Sequence, residues 1–386
     1  MRKITIATLK SLLGVASILA MANSAEAVNL VRTPFGVLKD GTKVEAITLQ
    51  NKQGVSATFI TYGAGIQSVI LPDAKGVKAD IALGYKSLDD YINKPQYIGS
   101  TVGRFANRIA KGQYVIDGKT YNAPLNNGAN SLHGGTQGFD KVNWKVVKVS
   151  EGDIAKIEME YNSPDGDMGY PGALKATAIY SLDEQNQLSI IYKATTKSPT
   201  IVNITNHAYW NLAGEGSDRS INEQQLQILG DAYLPTDAGA IPTGEIRKVE
   251  GTVFDFRQPM AIGKHVREAA DQQIAFGRGY DHNWIISMEP AAKPRLIATV
   301  NDPVSGRGMK LYSDQPGLQF YSGNFLDGTT TGKAGNFYRE GDAFVLEPQK
   351  FPDAPNQSKF ASTRLNPGQV YSNTIIYKLC SQPNCP

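Results

Sequence analysis

The sequence predicts an all-β protein, a large antiparallel β-sandwich, and three observations carry that prediction. Short runs of alternating apolar and polar residues recur along the chain, which is the period of a half-buried strand. Turn signals separate them, with 38 glycines and 20 prolines spread evenly over 386 residues. Apolar stripes at helical spacing are almost absent.

Residues 44–49 (VEAITL), 113–117 (QYVID), 156–161 (KIEMEY) and 188–193 (LSIIYK) alternate. After the second of these, Asp117-Gly118 predicts a hairpin with a type I′ turn, because a D-G pair tolerates the positive φ angles that turn needs. Residues 142–149 (VNWKVVKV) and 295–300 (RLIATV) extend the pattern. Val345-Leu346 and residues 374–379 (TIIYKL) read as late core strands. One helix is expected at 263–270, after Pro259. There is no low-complexity linker and no short-period repeat. Residues 28–386 are therefore expected to form one domain, and so many strands in one domain suit stacked sheets.

Residues 1–27 are read as a signal peptide rather than fold. Arg2, Lys3 and Lys10 make a positive start, 11–22 (SLLGVASILAMA) is uncharged and mostly apolar, and Ala25-Glu26-Ala27 is a small-x-small cleavage site. The apolar run falls short of the roughly 20 residues that span a bilayer. The mature chain is expected to begin near Val28, to be exported to the periplasm or beyond, and to have no membrane segment. Cleavage would lower the net charge from +3 to about +1. No long basic run or basic helical face exists, so nucleic acid is not an expected partner. Cys380 and Cys385 are the two cysteines, and an oxidising compartment would permit a small disulfide loop there. Two thiolates without a neighbouring histidine are a poor zinc site. A monomer is expected.

Four histidines occur in the chain. Three stand in loop-like text rich in Asn, Gly and aromatics: His133 in NSLHGG, His207 in NITNHAYWNL and His282 in GYDHNW. Glu347 ends an apolar run in LEPQKFPDAPN. Taken singly, an Asn-His or Asp-His pair often only closes a turn. Together, polar groups interleaved with Trp, Tyr and Phe suit a sugar, whose hydroxyls need polar partners and whose C–H face packs on rings.

Five segments in order, GRFANRIAKGQY (103–114), NSLHGG (130–135), NHAYWNL (206–212), GYDHNW (279–284) and LEPQKFPDAPN (346–356), resemble the motif set of the aldose 1-epimerase (galactose mutarotase) family. The resemblance spans roughly Thr33 to Leu379. It implies that family's large β-sandwich, no cofactor and no metal, and interconversion of the α and β anomers of a free aldose such as glucose or galactose. It implies His207 as general acid and Glu347 as general base. Asn107, Arg108, His133, Tyr209, Asp281 and Gln319 match positions that hold the sugar. His265 lies outside every motif. Trp210 and Trp284 stand where Phe is commoner and Pro348 where Thr is usual, departures expected to alter pocket shape and sugar preference.

The chemistry asks for such a pair. Opening a hemiacetal needs a base for the C1 hydroxyl proton and an acid for the ring oxygen. A carboxylate, with a reference pKa of about 4.3, and an imidazole, near 6.5, fit those roles. Because His207 must be protonated in part of the cycle, a partner is expected to raise its pKa. Arg108 is placed to stabilise negative charge developing on sugar oxygens. Three rivals differ in what they require. A glycoside hydrolase needs two facing carboxylates, which Asp281 and Glu347 could supply. A sugar-phosphate epimerase needs several arginines on one phosphate, and the motifs offer Arg104 and Arg108. A sugar-binding module has no need of both His207 and Glu347.

Overall fold

The computed structural model describes residues 28–94 and 96–381. Residues 1–27, expected to be a signal peptide, and Cys385 lie outside the described residues. Cys380, on the strand Tyr371–Ser381, is disulfide-bonded.

A five-stranded antiparallel meander runs in chain order through Asn29–Val37, Lys43–Gln50, Ser56–Ile60, Gly65–Pro72 and Lys78–Asp80. A nine-stranded sheet begins with the neighbours Lys145–Ser150, Ile154–Ser163, Leu174–Asp183 and Gln187–Thr196. It continues with Tyr371–Ser381, Arg307–Ser313, Arg295–Asn301, Gln225–Ile228 and Met260–Ala261. The last strand of the chain thus lies between the two halves of this sheet and pairs with both. The third large sheet has six strands, ordered Tyr209–Trp210, Phe344–Gln349, Gly317–Tyr321, Asp281–Ile285, Ala232–Leu234 and Arg247–Lys248.

Alternation decides how the layers stack. Along Leu174–Asp183 and Gln187–Thr196 every second side chain is buried, Tyr180, Ile190 and Tyr192 among them. Phe59 of the five-stranded sheet packs on Tyr180 with ring centroids 4.5 Å apart, and Trp210 of the six-stranded sheet packs on Tyr377 at 4.9 Å. Both smaller sheets therefore cover one face of the large one, which is a sandwich. A single buried cluster takes side chains from all three sheets. Each fully buried large apolar side chain contributes on the order of 1.5–3 kcal/mol.

The expected strands fall inside observed ones, for example 44–49 within Lys43–Gln50 and 188–193 within Gln187–Thr196. The D-G hairpin links Gln113–Ile116 to Lys119–Asn122, with φ of +50° at Asp117 and +78° at Gly118. The helix expected at 263–270 is a correction. That stretch holds a short 3-10 turn, Ile262–Lys264, and then irregular turns. The helix of this region is Gln272–Gly277, because Asp271 supplies the N-cap, accepting from the backbone N–H groups of Gln273 and Ile274; a second short helix is Leu88–Asn93.

Candidate active site

The six-stranded sheet builds the site by its two-residue period. Glu347 pairs in register with Gln319, and Gln319 with Asn283. Val345 pairs with Tyr209 and Tyr321, and Tyr321 with Asp281. Tyr209, Glu347, Gln319, Tyr321 and Asp281 therefore share one face. The alternate residues Trp210, Leu346, Phe320 and Trp284 face the opposite way, into the core. His282 goes with them, its ring 4.8 Å from that of Phe254.

Loops from the other motifs are stitched over the polar face. Asn203 reaches both neighbours: its Nδ2 donates to the carbonyls of Ala106 and Lys350, and its Oδ1 accepts the Lys350 N–H. Asp353 accepts the Ala110 N–H and donates its own N–H to the Arg108 carbonyl. Ser131 and Leu132 form a short ladder with Ile109 and Arg108. Two glycines are required by close approach. Gly134 follows His133 at φ +89°, and a Cβ there would collide with the Gly103 carbonyl. Gly99, at φ +70°, donates its N–H to the His207 carbonyl while its own carbonyl accepts from Asn206, and a Cβ would strike Ile66.

The result is a cavity of about 280 Å³ lined by Asn107, Arg108, His133, His207, Tyr209, Asp281 and Glu347 of the sequence-derived set. Gln319 does not line it. It sits behind Asp281, donating to Oδ1 at 2.7 Å. Arg108 lies 3.5 Å from the other Asp281 oxygen and donates Nε to Asn127. The Tyr209 hydroxyl donates to the Gln96 carbonyl, so that residue offers its ring to the cavity. His265 is remote from these groups and pairs with Glu268 at 2.8 Å.

A nitrogen of each of His133 and His207 and a carboxylate oxygen of Glu347 lie within 4.8 Å of one another. His207 and Glu347 are 5% and 2% exposed, and Nδ1 of the one and Oε1 of the other have no hydrogen-bond partner among the described residues. Burial pushes the His207 imidazole down to about 4, outweighing a contact with its own backbone and then Asp281, both of which act the other way. Burial pushes the Glu347 carboxyl well up, with Asp281 adding to the rise and Arg108 opposing it. The expected raised pKa at His207 is thus corrected: among the described residues no anion lies close enough to its ring to offset desolvation. His133 is pushed well down by burial, and then by His207 and Arg108. Its Nδ1 accepts the Asn107 N–H at 3.2 Å, so the neutral ring carries its proton on Nε2. That nitrogen is a donor, which does not fit the trio to a metal ion.

The profile of the aldose 1-epimerase family matches residues 45–378. The chain belongs to the aldose 1-epimerase family. It is 43% identical over 352 residues to a galactose mutarotase of Rattus norvegicus, covering 91% of this chain and 98% of that one. It is 37% identical over 345 residues to an aldose 1-epimerase of Escherichia coli strain K12, covering 89% and 97%. Among solved structures, a galactose 1-epimerase from Lactobacillus acidophilus is similar with TM-score 0.81 at 29% identity, over 92% of this chain and 99% of that one. An aldose epimerase homologue from C. elegans gives TM-score 0.76 at 32% identity, over 87% and 98%.

In this epimerase the departures Trp210 and Trp284 do not shape the pocket. Both are fully buried on the core face of the six-stranded sheet, and Pro348 alternates with Glu347 toward the same side. Arg104, the first arginine of GRFANR, is buried away from the cavity. Its guanidinium donates to the carbonyls of Pro164, Pro171 and Gly172 and to the hydroxyls of Ser163 and Thr200. Arg104→Met in this aldose 1-epimerase should leave several buried acceptors unmet, at about 1–3 kcal/mol each before relaxation. The expected outcome is a loss of roughly 3–5 kcal/mol in urea unfolding, with the KM for sugar unchanged in the folded fraction. A changed KM with full stability would contradict the structural role.

Sequence reasoning missed Gln96, Tyr97, Asn127, Leu132, Tyr321 and Phe325 on the cavity wall of the epimerase. Tyr321 was within reach, since it stands two residues from Gln319 on one strand. Gln96 and Tyr97 carry no comparable signal.

Proposed function

We propose that anomer interconversion in this enzyme runs on one proton shared between Glu347 and His207, with a free hexose as substrate. Glu347 takes the proton of the C1 hydroxyl. His207 protonates the ring oxygen as the C1–O5 bond breaks. Rotation about C1–C2 turns the other face of the aldehyde toward the O5 hydroxyl, and reclosure reverses both transfers. The observation that carries the reading is the convergence of the two groups on the wall of one cavity, within 4.8 Å of each other, each with a buried atom that has no hydrogen-bond partner among the described residues. A sugar-binding module gains nothing from burying them so, because each unmet buried polar atom costs on the order of 1–3 kcal/mol.

Glu347 ionised with His207 protonated, and Glu347 protonated with His207 neutral, are states of equal proton number. Burial by itself favours the second. That is the arrangement the open-chain aldehyde leaves behind. The cyclic sugar restores the first by donating its C1 hydroxyl to Glu347 and accepting from His207 through O5. The partner that raises the His207 pKa is thus the substrate. Nε2–H of His133, with Arg108 and Asn107, offers donors to the remaining oxygens, and Asp281, held by Gln319, an acceptor.

A free sugar is favoured because Arg108 is the single arginine on the cavity wall among the described residues, and it is engaged by Asn127 and Asp281. Phosphate recognition asks for more. Galactose and glucose are the hexoses to test, since relatives carry galactose mutarotase names. In polarimetry, enzyme should accelerate the relaxation of freshly dissolved α-galactose and α-glucose, and act at least roughly tenfold more weakly, in kcat/KM, on galactose 6-phosphate. Preference for the phosphorylated sugar would overturn the substrate class. Export rests on residues 1–27, and the disulfide at Cys380 supports an oxidising compartment. N-terminal sequencing of protein from the periplasmic or culture fraction should begin near Val28; an intact leader on cytosolic protein would refute export.

A further inference from the structure

Tyr97 has no part in the chemistry above, yet it touches both imidazoles. Its ring centroid lies 4.7 Å from that of His133 and 5.8 Å from that of His207. Those two imidazoles meet edge to face at 5.3 Å and 87°. The backbone beside Tyr97 is bonded to His207 itself: Gly99 donates its N–H to the His207 carbonyl, and the His207 N–H donates to the Ser100 carbonyl. Ser100 also closes a turn onto the Tyr97 carbonyl. Tyr97 stands at φ +57°, a conformation an L-residue holds only when its surroundings impose it.

The contacts that hold its ring are visible. The Lys141 ammonium lies 5.5 Å from the Tyr97 ring centroid, a cation–π distance. Lys141 is in turn fixed by Asp140, 3.4 Å away and buried. On another flank, the Tyr209 hydroxyl holds the Gln96 carbonyl, and the Tyr209 ring is 5.0 Å from His207. His207 is therefore bracketed by two tyrosines whose positions are coupled through one backbone carbonyl.

We propose that Tyr97, backed by the Lys141–Asp140 pair, is a positioning residue that sets the orientation of His207 and His133 for proton transfer. The inference rests on His207 being the acid. With no hydrogen bond at Nδ1 among the described residues, the His207 imidazole depends on the rings packed against it to hold its χ2 angle. Transfer to a ring oxygen needs that ring aimed, and a misplacement of about 1 Å can cost on the order of a hundredfold in rate.

The test is a variant series in the full-length enzyme, with kcat and KM for galactose measured separately by polarimetry. Tyr97→Leu should lower kcat roughly ten- to a hundredfold, by a larger factor than it raises KM. Tyr97→Phe should restore most of that loss, since the ring and not the hydroxyl does the positioning. Lys141→Met should lower kcat by about two- to fivefold, the range of an exposed to half-buried cation–π contact. If Tyr97→Leu does not fold, Tyr97→Met keeps the bulk without the aromatic ring and carries the same expectation. The proposal is overturned if the aliphatic variant keeps kcat within twofold, or if Tyr97→Phe falls as far as Tyr97→Leu. His207→Asn in the same series separates the two levels. Full activity there would remove the acid assignment itself, whereas an inactive His207→Asn beside an active Tyr97→Leu removes only the positioning role.

Discussion

Glu347→Gln is expected to lower kcat for galactose anomer exchange by roughly a thousandfold or more, with KM changed little. The amide keeps the shape of the carboxyl and its place opposite Gln319 in the strand register, but it can neither take nor return the C1 proton. His207→Asn should do similar damage. The double variant should be scarcely worse than either single one, because removing one end of a two-residue proton shuttle already stops it, and groups that act as a unit are not additive. Polarimetric relaxation rates for the four proteins settle the matter. Multiplying losses in the double variant would mean that the two residues act independently, and the shared proton would have to be abandoned.

The same pair fixes the shape of the pH profile. Activity requires one proton on the pair. A second arrives only when His207 is protonated, and burial has pushed that imidazole down to about 4. The only proton leaves when Glu347 ionises, and burial has pushed that carboxyl well up. In brief pH jumps, kcat/KM should therefore stay level through the ordinary histidine range and fall only toward pH 4, with its alkaline limb set by a carboxyl. The apparent values belong to the coupled pair rather than to either residue. An acid limb centred near 6.5 would show an unburied imidazole at work and contradict the site as drawn.

Much of this was legible in the sequence for a simple physical reason. A strand's two-residue period writes itself into the order of apolar and polar residues, so 44–49, 156–161 and 188–193 were readable, and the D-G turn declared its own geometry. The same period could have placed the departures. If Tyr209 faces the pocket, Trp210 cannot. If Glu347 does, Pro348 does not, and Trp284, three residues from Asp281, faces away as well. What the period cannot supply is contact between distant loops. Tyr97 reaches the histidines through a left-handed turn and a lysine 44 positions later. The direction of the His207 shift is equally hidden, since it depends on how far desolvation outweighs a carboxylate nearby in space. The helix was misplaced because the periodicity around 263–270 competes with a stronger signal, the Asp271 cap just beyond it.

Buried neutral histidines make a second large effect predictable, on stability. His133, His207 and His282 are at most 5% exposed. Burial pushes His207 and His282 down to about 4 and His133 well down. In the unfolded chain each returns to about 6.5. Between those values the unfolded state binds a proton that the folded state refuses. Their stability cost is therefore absent above pH 6.5 and grows as pH falls, for His207 and His282 by about 1.4 kcal/mol per unit each down to about 4. At pH 5 His207 and His282 together cost roughly 4 kcal/mol, and His133 acts in the same direction. Two acids work the other way: Glu347, pushed well up, and Asp140, pushed up to about 6 by burial, both take a proton in the folded state first. The net slope is smaller than the histidine sum, so a variant isolates the effect better than wild type alone. His282 is the histidine to change, because it lies outside the cavity, packed on Phe254, with its Nδ1 accepting the Asp281 N–H at 3.1 Å. His282→Phe loses that acceptor and should be less stable than wild type by about 1–2 kcal/mol at pH 7.5. At pH 5 it escapes a protonation cost of about 2 kcal/mol, so the two curves of urea unfolding free energy against pH should converge and cross near there. A constant gap between the curves from pH 7.5 to 5 would mean that His282 titrates alike in both states, and that its burial exerts no force on its proton.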